Sequence, residues 1–436
     1  MQALLVTVSP HGWMMRRWRR FGDVFTSRFP VFGRVVYVAD PGFVKEVFAG
    51  DATTFHAGEA NSLALGDALG EHSLLTLDEH RHMSQRKLLL PPFHGESVRR
   101  YVEVMADATE RQVASWAVGE DIELRPRMQA ITLEVILRAV FGVRDDDRMD
   151  LFRERIPPLG ETTSILNWLP FMDRDIAGLT PAARFRRALA AVDELIYAEI
   201  ADRRAAPRET EERDDVLSLL LRARHEDGSA MTDVELRDEL MTLLTAGHET
   251  TATGLAWAFE RLLRTPRVME RVTSSLDDED YLDAVVKETL RVRPVIVDVA
   301  RKLTRETDVA GWRLPAGTLV LPAIAVLHRR PDLYESPDEF RPERWLEGAP
   351  GSYAWIPFGG GVRRCIGASF AQVEMRTVLR EVLRRVRLRA PTQRPERAVI
   401  RHVTVVPGRG ARATVTERLA VARRDDPLAS PAAAKA

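Results

Sequence analysis

The sequence predicts one mainly α-helical domain with small β-sheets, and three observations support that class. First, Thr232 followed by Glu235 is a capping-box signature that opens a helix through "DVELRDELMTLLTAGHETTATGLAWAFERLLR" to a stop at Pro266. At roughly 30 residues this helix is about 48 Å long, and its apolar content puts it through the middle of the protein. Second, helical periodicity recurs at Leu282, Val285, Val286 and Leu290 before Pro294, and again at Met375, Leu379, Val382, Leu383 and Val386. Third, no internal repeat, dividing linker or second self-contained motif interrupts the 436 residues.

In chain order, the N-terminus "MQALLVTVSPHGWMMRRWRR" has an apolar run broken by Ser9, Pro10 and His11. That run is too short to span a bilayer and lacks the charge order of a signal peptide. Trp13 to Arg20 reads as a solvated first helix in preference to a membrane-surface one. "DVFTSRFPVFGRVVYVAD" predicts a hairpin around Phe32 and Gly33. "RLPAGTLVLPAIAVLHRRPDLYESPDEFRPERW" starts strand-like and becomes Pro-rich without periodicity. "VTVVPGRGARATVT" predicts a hairpin around Pro407 to Gly410, and "RRDDPLASPAAAKA" a disordered tail. The expected boundaries are a leading segment 1–20, a folded domain 21–420 and a tail 421–436.

Hydrophobic residues make up 45% and charged residues 29% of the chain, and the net charge of -1 argues against a general nucleic-acid binder. Cys365 is the only cysteine. An intrachain disulfide, a thiolate-built zinc site and a cysteine-ligated iron–sulfur cluster all need more sulfur. The expectation is a soluble, cytoplasmic protein without an integral membrane anchor.

Cys365 lies in "FGGGVRRCIG", behind Gly359, Gly360 and Gly361 and beside Arg363 and Arg364, whose charge favours thiolate over thiol. A dinucleotide fingerprint would need glycine at 364, where Arg364 stands, and a phosphatase-type thiol would need arginine where Ala371 stands. Metal ligation remains, and a thiolate at a helix N-terminus flanked by arginine suits a haem iron whose propionates also need cations. In "AGHETT" a zinc-protease reading fails because position 252 is Ala252. Gly247, Glu249 and Thr250 are costly in a buried helix unless used, and Thr250 can hydrogen-bond the carbonyl of Ala246. In "KETLR", Glu288 and Arg291 share a helical face and can pair.

Taken together, F-x-x-G-x-R-x-C-x-G around Cys365, "AGHETT", "ETLR" and "FRPERW" stand in the order and spacing of the cytochrome P-450 haem-thiolate monooxygenases. The chain resembles that family from about Phe21 to Thr416. The resemblance implies a single triangular helical domain whose long central helix lies over the haem. It implies Cys365 as the axial thiolate of haem b and Arg363 as a propionate ligand. The family's helical His with Arg four residues on is matched by His82 and Arg86, with His80 a decoy, and Arg301 matches another propionate ligand. Glu288, Arg291 and Arg344 match the structural ion-pair triad, with Trp345 where phenylalanine is commoner. Glu249 and Thr250 match the acid and alcohol beside the oxygen site, and Thr242, Thr245, Ala246 and Val297 the substrate-facing positions.

The implied activity is insertion of one oxygen atom of O2 into a small apolar substrate, by hydroxylation or epoxidation. NAD(P)H electrons would arrive through a separate ferredoxin or flavodoxin with its reductase, and the enzyme would be a monomer. Arg376, Arg380 and Arg384 recur every four residues as a basic stripe, either a docking face for that partner or plain solvated surface. Two alternatives stand beside this reading: a peroxide-dependent or rearranging enzyme of the same type, against which the intact "ETT" argues, and a non-catalytic haem-binding protein. Substrate determinants are expected in residues 57 to 75 and about 157 to 185, the latter apolar with Trp168 and Phe171.

Overall fold

The computed structural model describes residues 9–29, 32–159, 180–348 and 350–420. The tail 421–436, Trp168 and Phe171 therefore lie outside the described residues.

Helix α1 (Pro10–Phe21) begins on a proline and buries Trp13, Met14 and Met15. Trp13 packs on Phe29 and Tyr37, so this helix docks an apolar face and is not simply solvated as its sequence suggested. The early hairpin forms as expected: β1 (Val24–Phe29) pairs antiparallel with β2 (Gly33–Val38), Phe29 opposite Gly33. Strands β3 (Phe55–His56), β5 (Arg301–Leu303) and β8 (Leu319–Pro322) complete a five-stranded sheet in the order β1-β2-β8-β5-β3. Of these pairings only β2 with β8 is parallel.

The other sheets are a two-stranded pair, β6 (Thr307–Val309) with β7 (Trp312–Leu314), and two near the C-terminus. There the sequence reading is corrected. β11 (Thr404–Pro407) pairs with β10 (Ala398–Arg401), while β12 (Arg412–Arg418) pairs with β4 (Asp121–Glu123) and β9 (Val386–Arg389). The turn at Pro407 to Gly410 exists, but the strands flanking it belong to different sheets. Val405 and Val406 are buried, and the Val405 carbonyl accepts the Trp257 indole N–H at 2.7 Å. That contact with the central helix holds β11 away from β12.

The helices are α2 (Pro41–Ala49), α3 (Gly58–Leu69), α4 (Glu79–Leu89), α5 (Val102–Ala114), α6 (Leu124–Ala139), α7 (Asp146–Arg155), α8 (Pro181–Ala205), α9 (Val216–Arg222), α10 (Asp233–Leu262), α11 (Pro266–Ser274), α12 (Glu279–Val292) and α13 (Ala368–Arg385), with shorter turns between. α10 runs for 30 residues from the capping box, in which Thr232 Oγ1 accepts from Glu235 N at 3.2 Å and Glu235 Oε2 from Thr232 N at 2.8 Å. Most of its length is buried in the largest core cluster, packed by α6, α8, α12 and α13. Gly247 has a packing reason: a Cβ there would sit 2.8 Å from Ile136 Cδ1, so the glycine lets α6 close on the midpoint of α10. No helix among the described residues is long and apolar enough to cross a membrane.

Candidate active site

Cys365 is presented by a loop that ends where α13 begins. Its backbone N–H donates to Phe358 O at 2.9 Å, and Gly361, with φ +65°, turns the loop against α2. A Cβ on Gly361 would collide with the Phe48 carbonyl, so a side chain is excluded there on both counts. Burial pushes the Cys365 thiol pKa up, opposed by the Gly367 N–H and by the charges of Arg86 and Arg364. Arg363 does not share that role as the sequence suggested. It turns away to pair with Asp78 and donates to the carbonyls of Leu74 (3.2 Å) and Leu77.

The sulfur opens onto a cavity of about 1690 Å³ walled by α10, α3, α4, the chain around Val297 and the five-stranded sheet. Four basic residues line its floor. His82 and Arg86 come from one face of α4, Arg301 from the start of β5, and Arg363 from the cysteine loop. His82 is buried while His80, two positions earlier, has an exposed side chain. Burial and the neighbouring charges of Arg363, Arg86 and Arg301 push the His82 pKa down to about 3, so it is neutral near pH 7. Burial lowers Arg301 and Arg363 to about 10 each, Arg301 further by Arg363, and Arg363 further by Arg86. Asp78 opposes both shifts and is the acid set among these cations. The cluster is short of negative charge.

Across the cavity, Thr242, Thr245, Ala246, Glu249 and Thr250 of α10 and Val297 all line the wall. Thr250 Oγ1 donates to Ala246 O at 2.6 Å, the bond its sequence position predicted, and Thr245 Oγ1 donates to Met241 O at 2.8 Å. Thr242 is committed inward: it is buried, 2.6 Å from Ser73 Oγ and 2.7 Å from Asp238 O. Glu249 is gripped by two residues that sequence reasoning missed. Arg125 Nη2 donates to its Oε1 at 2.5 Å and Gln129 Nε2 to its Oε2 at 2.6 Å. The only advance signal was the spacing of four that puts Arg125 and Gln129 on one face of α6.

The remaining predicted residues stand off the cavity. Glu288 and Arg291, both 0% exposed, form a two-pronged ion pair at 2.8 Å, and Arg344 Nε adds a contact to Glu288 Oε1 at 3.1 Å. The Arg341 backbone N–H and the Trp345 indole N–H complete the carboxylate at 2.9 and 3.0 Å. Trp345 is thus a hydrogen-bond donor that phenylalanine could not replace. Arg291 also donates to the carbonyls of His328, Pro337 and Glu339 at 2.7 to 2.9 Å.

The basic stripe is corrected. Arg376 pairs with Asp283 at 2.6 Å, Arg380 with Glu279, and Arg384 with Asp277 at 2.7 Å. These arginines lace α13 to the acidic start of α12 and present neither a free docking charge nor a simply solvated face.

The cavity floor suits haem b. It offers one sulfur for the iron, and the unbalanced charge of Arg86, Arg301 and Arg363 matches what two propionates would bring. Comparison with known proteins agrees. The family profile described as Cytochrome P450 matches residues 3–412. A Mycobacterium tuberculosis protein carrying the name cytochrome P450 135B1 is 46% identical over 407 residues, covering 91% of this chain and 85% of its own. A second from that organism, carrying the name cytochrome P450 138, is 39% identical over 424 residues, 96% of this chain and 94% of its own. Among solved structures, a retinoic acid-bound cyanobacterial CYP120A1 superposes with a TM-score of 0.83 at 25% identity, covering 95% of this chain and 96% of its own. With the thiolate loop, the cationic floor and the long helix arranged in one cavity, and the whole-length match, this chain belongs to the cytochrome P450 family, whose general activity is monooxygenation.

Proposed function

We propose that this chain is a haem-thiolate monooxygenase that inserts one oxygen atom of O2 into a small, largely apolar substrate, with NAD(P)H electrons delivered by a separate ferredoxin or flavodoxin system. One observation carries the reading: Cys365 and the exposed face of α10 at Ala246 and Thr250 meet across a single large cavity lined mainly by apolar side chains. When bound, the haem would supply oxygen activation and the oxidising power for C–H or C=C chemistry, with Cys365 as its thiolate.

The chain's own residues supply the rest. Arg86, Arg301 and Arg363 would bind the propionates, with neutral His82 donating a ring N–H, and the Gly367 N–H, Arg86 and Arg364 would hold the sulfur's negative charge. The apolar lining excludes bulk water and strips the substrate of its hydration. The Thr250 hydroxyl, which donates to Ala246 O, can rotate to place its proton in the cavity. Glu249, fixed by Arg125 and Gln129, keeps a carboxylate one residue away for proton traffic from solvent.

Cys365→Ser tests the reading. The reduced carbon monoxide complex of the wild type should show the strongly red-shifted Soret band of thiolate ligation, and the variant should lose it; an unchanged spectrum ends the proposal. Thr250→Ala tests the proton role. It should keep that band and the NAD(P)H consumption but divert electrons into hydrogen peroxide, lowering product per NAD(P)H by about tenfold or more. Wild-type coupling in Thr250→Ala would reduce this threonine to a packing role.

A further inference from the structure

The cavity contains an acid that the proposed chemistry does not use. Asp298 lines its wall beside Val297, in the chain that leads from α12 to β5. The hydroxyl of Tyr37, on β2, lines the same wall and is the neighbouring group that opposes the rise burial gives its pKa. A carboxylate offers about four acceptor positions, so most of its capacity is unspent.

Three other acids of this region are matched by cations: Glu249 by Arg125 at 2.5 Å, Asp78 by Arg363, and Glu59 by Lys302 at 2.8 Å. Glu239, which also lines the cavity, is fully buried and has no ion-pair partner among the described residues. Among the described residues Asp298 has no such partner, and neither lysine nor arginine offsets its burial, which raises its pKa to about 6. Its surroundings are apolar, with Trp13, Phe29, Val35, Leu319 and Leu321 on the same side of the cavity. The backbone before it is held by Val295 O, accepting from Val405 N at 2.8 Å, and by Val297 O, accepting from Ala325 N at 3.1 Å, and after it the chain enters β5, where Arg301 pairs with Val320. A rigidly placed acid without a counter-cation, on the wall of a cavity that takes a ligand, is complementary to a ligand that brings the cation.

We propose that Asp298, braced by the Tyr37 hydroxyl, anchors a positively charged group of the substrate, so that the preferred substrates are apolar skeletons bearing an ammonium. This rests on reading the cavity as the substrate cavity of the monooxygenase. It orders ligand classes: at equal apolar length a cation binds best, a neutral alcohol next and a carboxylate worst.

The test uses the haem-loaded protein and three probes of one chain length: dodecyltrimethylammonium, which cannot ligate iron through nitrogen, dodecanol and dodecanoate. Affinities are read by calorimetry, independently of turnover. The wild type should bind the ammonium about tenfold or more tighter than the carboxylate, a charge-pair effect of ordinary size. Asp298→Asn should abolish that preference and leave dodecanol within about twofold, whereas Asp298→Glu should keep it. Tyr37→Phe should weaken ammonium binding less than Asp298→Asn does. Equal or reversed preference in the wild type, or a preference that survives Asp298→Asn, overturns the anchor. The carbon monoxide spectrum separates the two proposals: its absence in the wild type refutes the thiolate reading, while the calorimetric order of the probes still decides on Asp298.

Discussion

Two buried groups of arginines in this chain are built from the same residue types and end in opposite states. Around Glu288 every charge is answered. Arg291 meets both carboxylate oxygens and three backbone carbonyls, and the carboxylate also takes donors from Arg341, Arg344 and Trp345. On the cavity floor Arg86, Arg301 and Arg363 are held together by the fold with Asp78 as their acid, and the charges of Arg363 and Arg301 depress neighbouring His82. A saturated ion-pair network locks elements together and has nothing left to offer a ligand. An unsaturated one is held by the surrounding fold and waits for charge from outside. The contrast distinguishes arginines whose charge is answered within the fold from arginines left with charge to spare, without reference to sequence position.

The largest expected effect breaks the saturated side. Arg291→Ala leaves Glu288 buried with its principal partner gone, and removal of one member of such a pair costs about 3–5 kcal/mol. Urea unfolding and haem content should both report it, with little holoprotein recovered. A variant with full haem content and wild-type unfolding would show that this network is not needed.

A smaller and different effect is expected on the unsaturated side. Arg301→Leu relieves a crowded cation, so the chain's urea stability should fall by less than about 1 kcal/mol. Transfer of haem to an excess of apomyoglobin should nevertheless speed up by about tenfold, the size of one lost charge-assisted bond. If Arg301→Leu destabilised the chain as much as Arg291→Ala, the distinction between the two groups would collapse.

Smallest near neutral pH, and growing only in acid, is a pH dependence within the saturated region. His328 Nε2 accepts the Ile356 backbone N–H at 2.9 Å, and burial beside Arg291 lowers its pKa from the ordinary 6.5 to about 3. Below pH 6.5 the unfolded chain takes up a proton that folded His328 refuses, so stability falls as pH drops from about 6.5 to about 3. The slope from this one group is at most about 1.4 kcal/mol per pH unit. His328→Gln keeps an acceptor without a titrating ring and should flatten that part of the thermal-stability profile. An identical slope in the variant would assign the acid sensitivity elsewhere, with His82 the next candidate.

Much of the architecture was legible because it is encoded over a few residues. The Thr232 and Glu235 capping box, the stop at Pro266 and the early hairpin are local signals, each satisfied by neighbours in the chain. In "DEHRHMSQR" it was the resemblance, a helical His with Arg four residues on, that selected His82 over His80, and the fold buries His82 while the His80 side chain is exposed. The glycines before Cys365 and the periodicity of α12 and α13 were visible as local signals. What misled was equally local. Arg376, Arg380 and Arg384 do share one helical face, but only the packing of α13 on α12 shows that Glu279, Asp283 and Asp277 cover it.

The tertiary structure alone decided which distant residues meet. Arg125 and Gln129 reach Glu249 across more than a hundred residues of sequence because α6 closes on α10 at Gly247. β11 joins β10 instead of β12 because Trp257 holds it. Tyr37 meets Asp298 because β2 and the chain before β5 flank the same cavity. A cap or a periodicity is stabilised by neighbours a few residues away and can be read from them, whereas the partner of a buried charge is set by which elements exclude water together, a property of the whole folded chain.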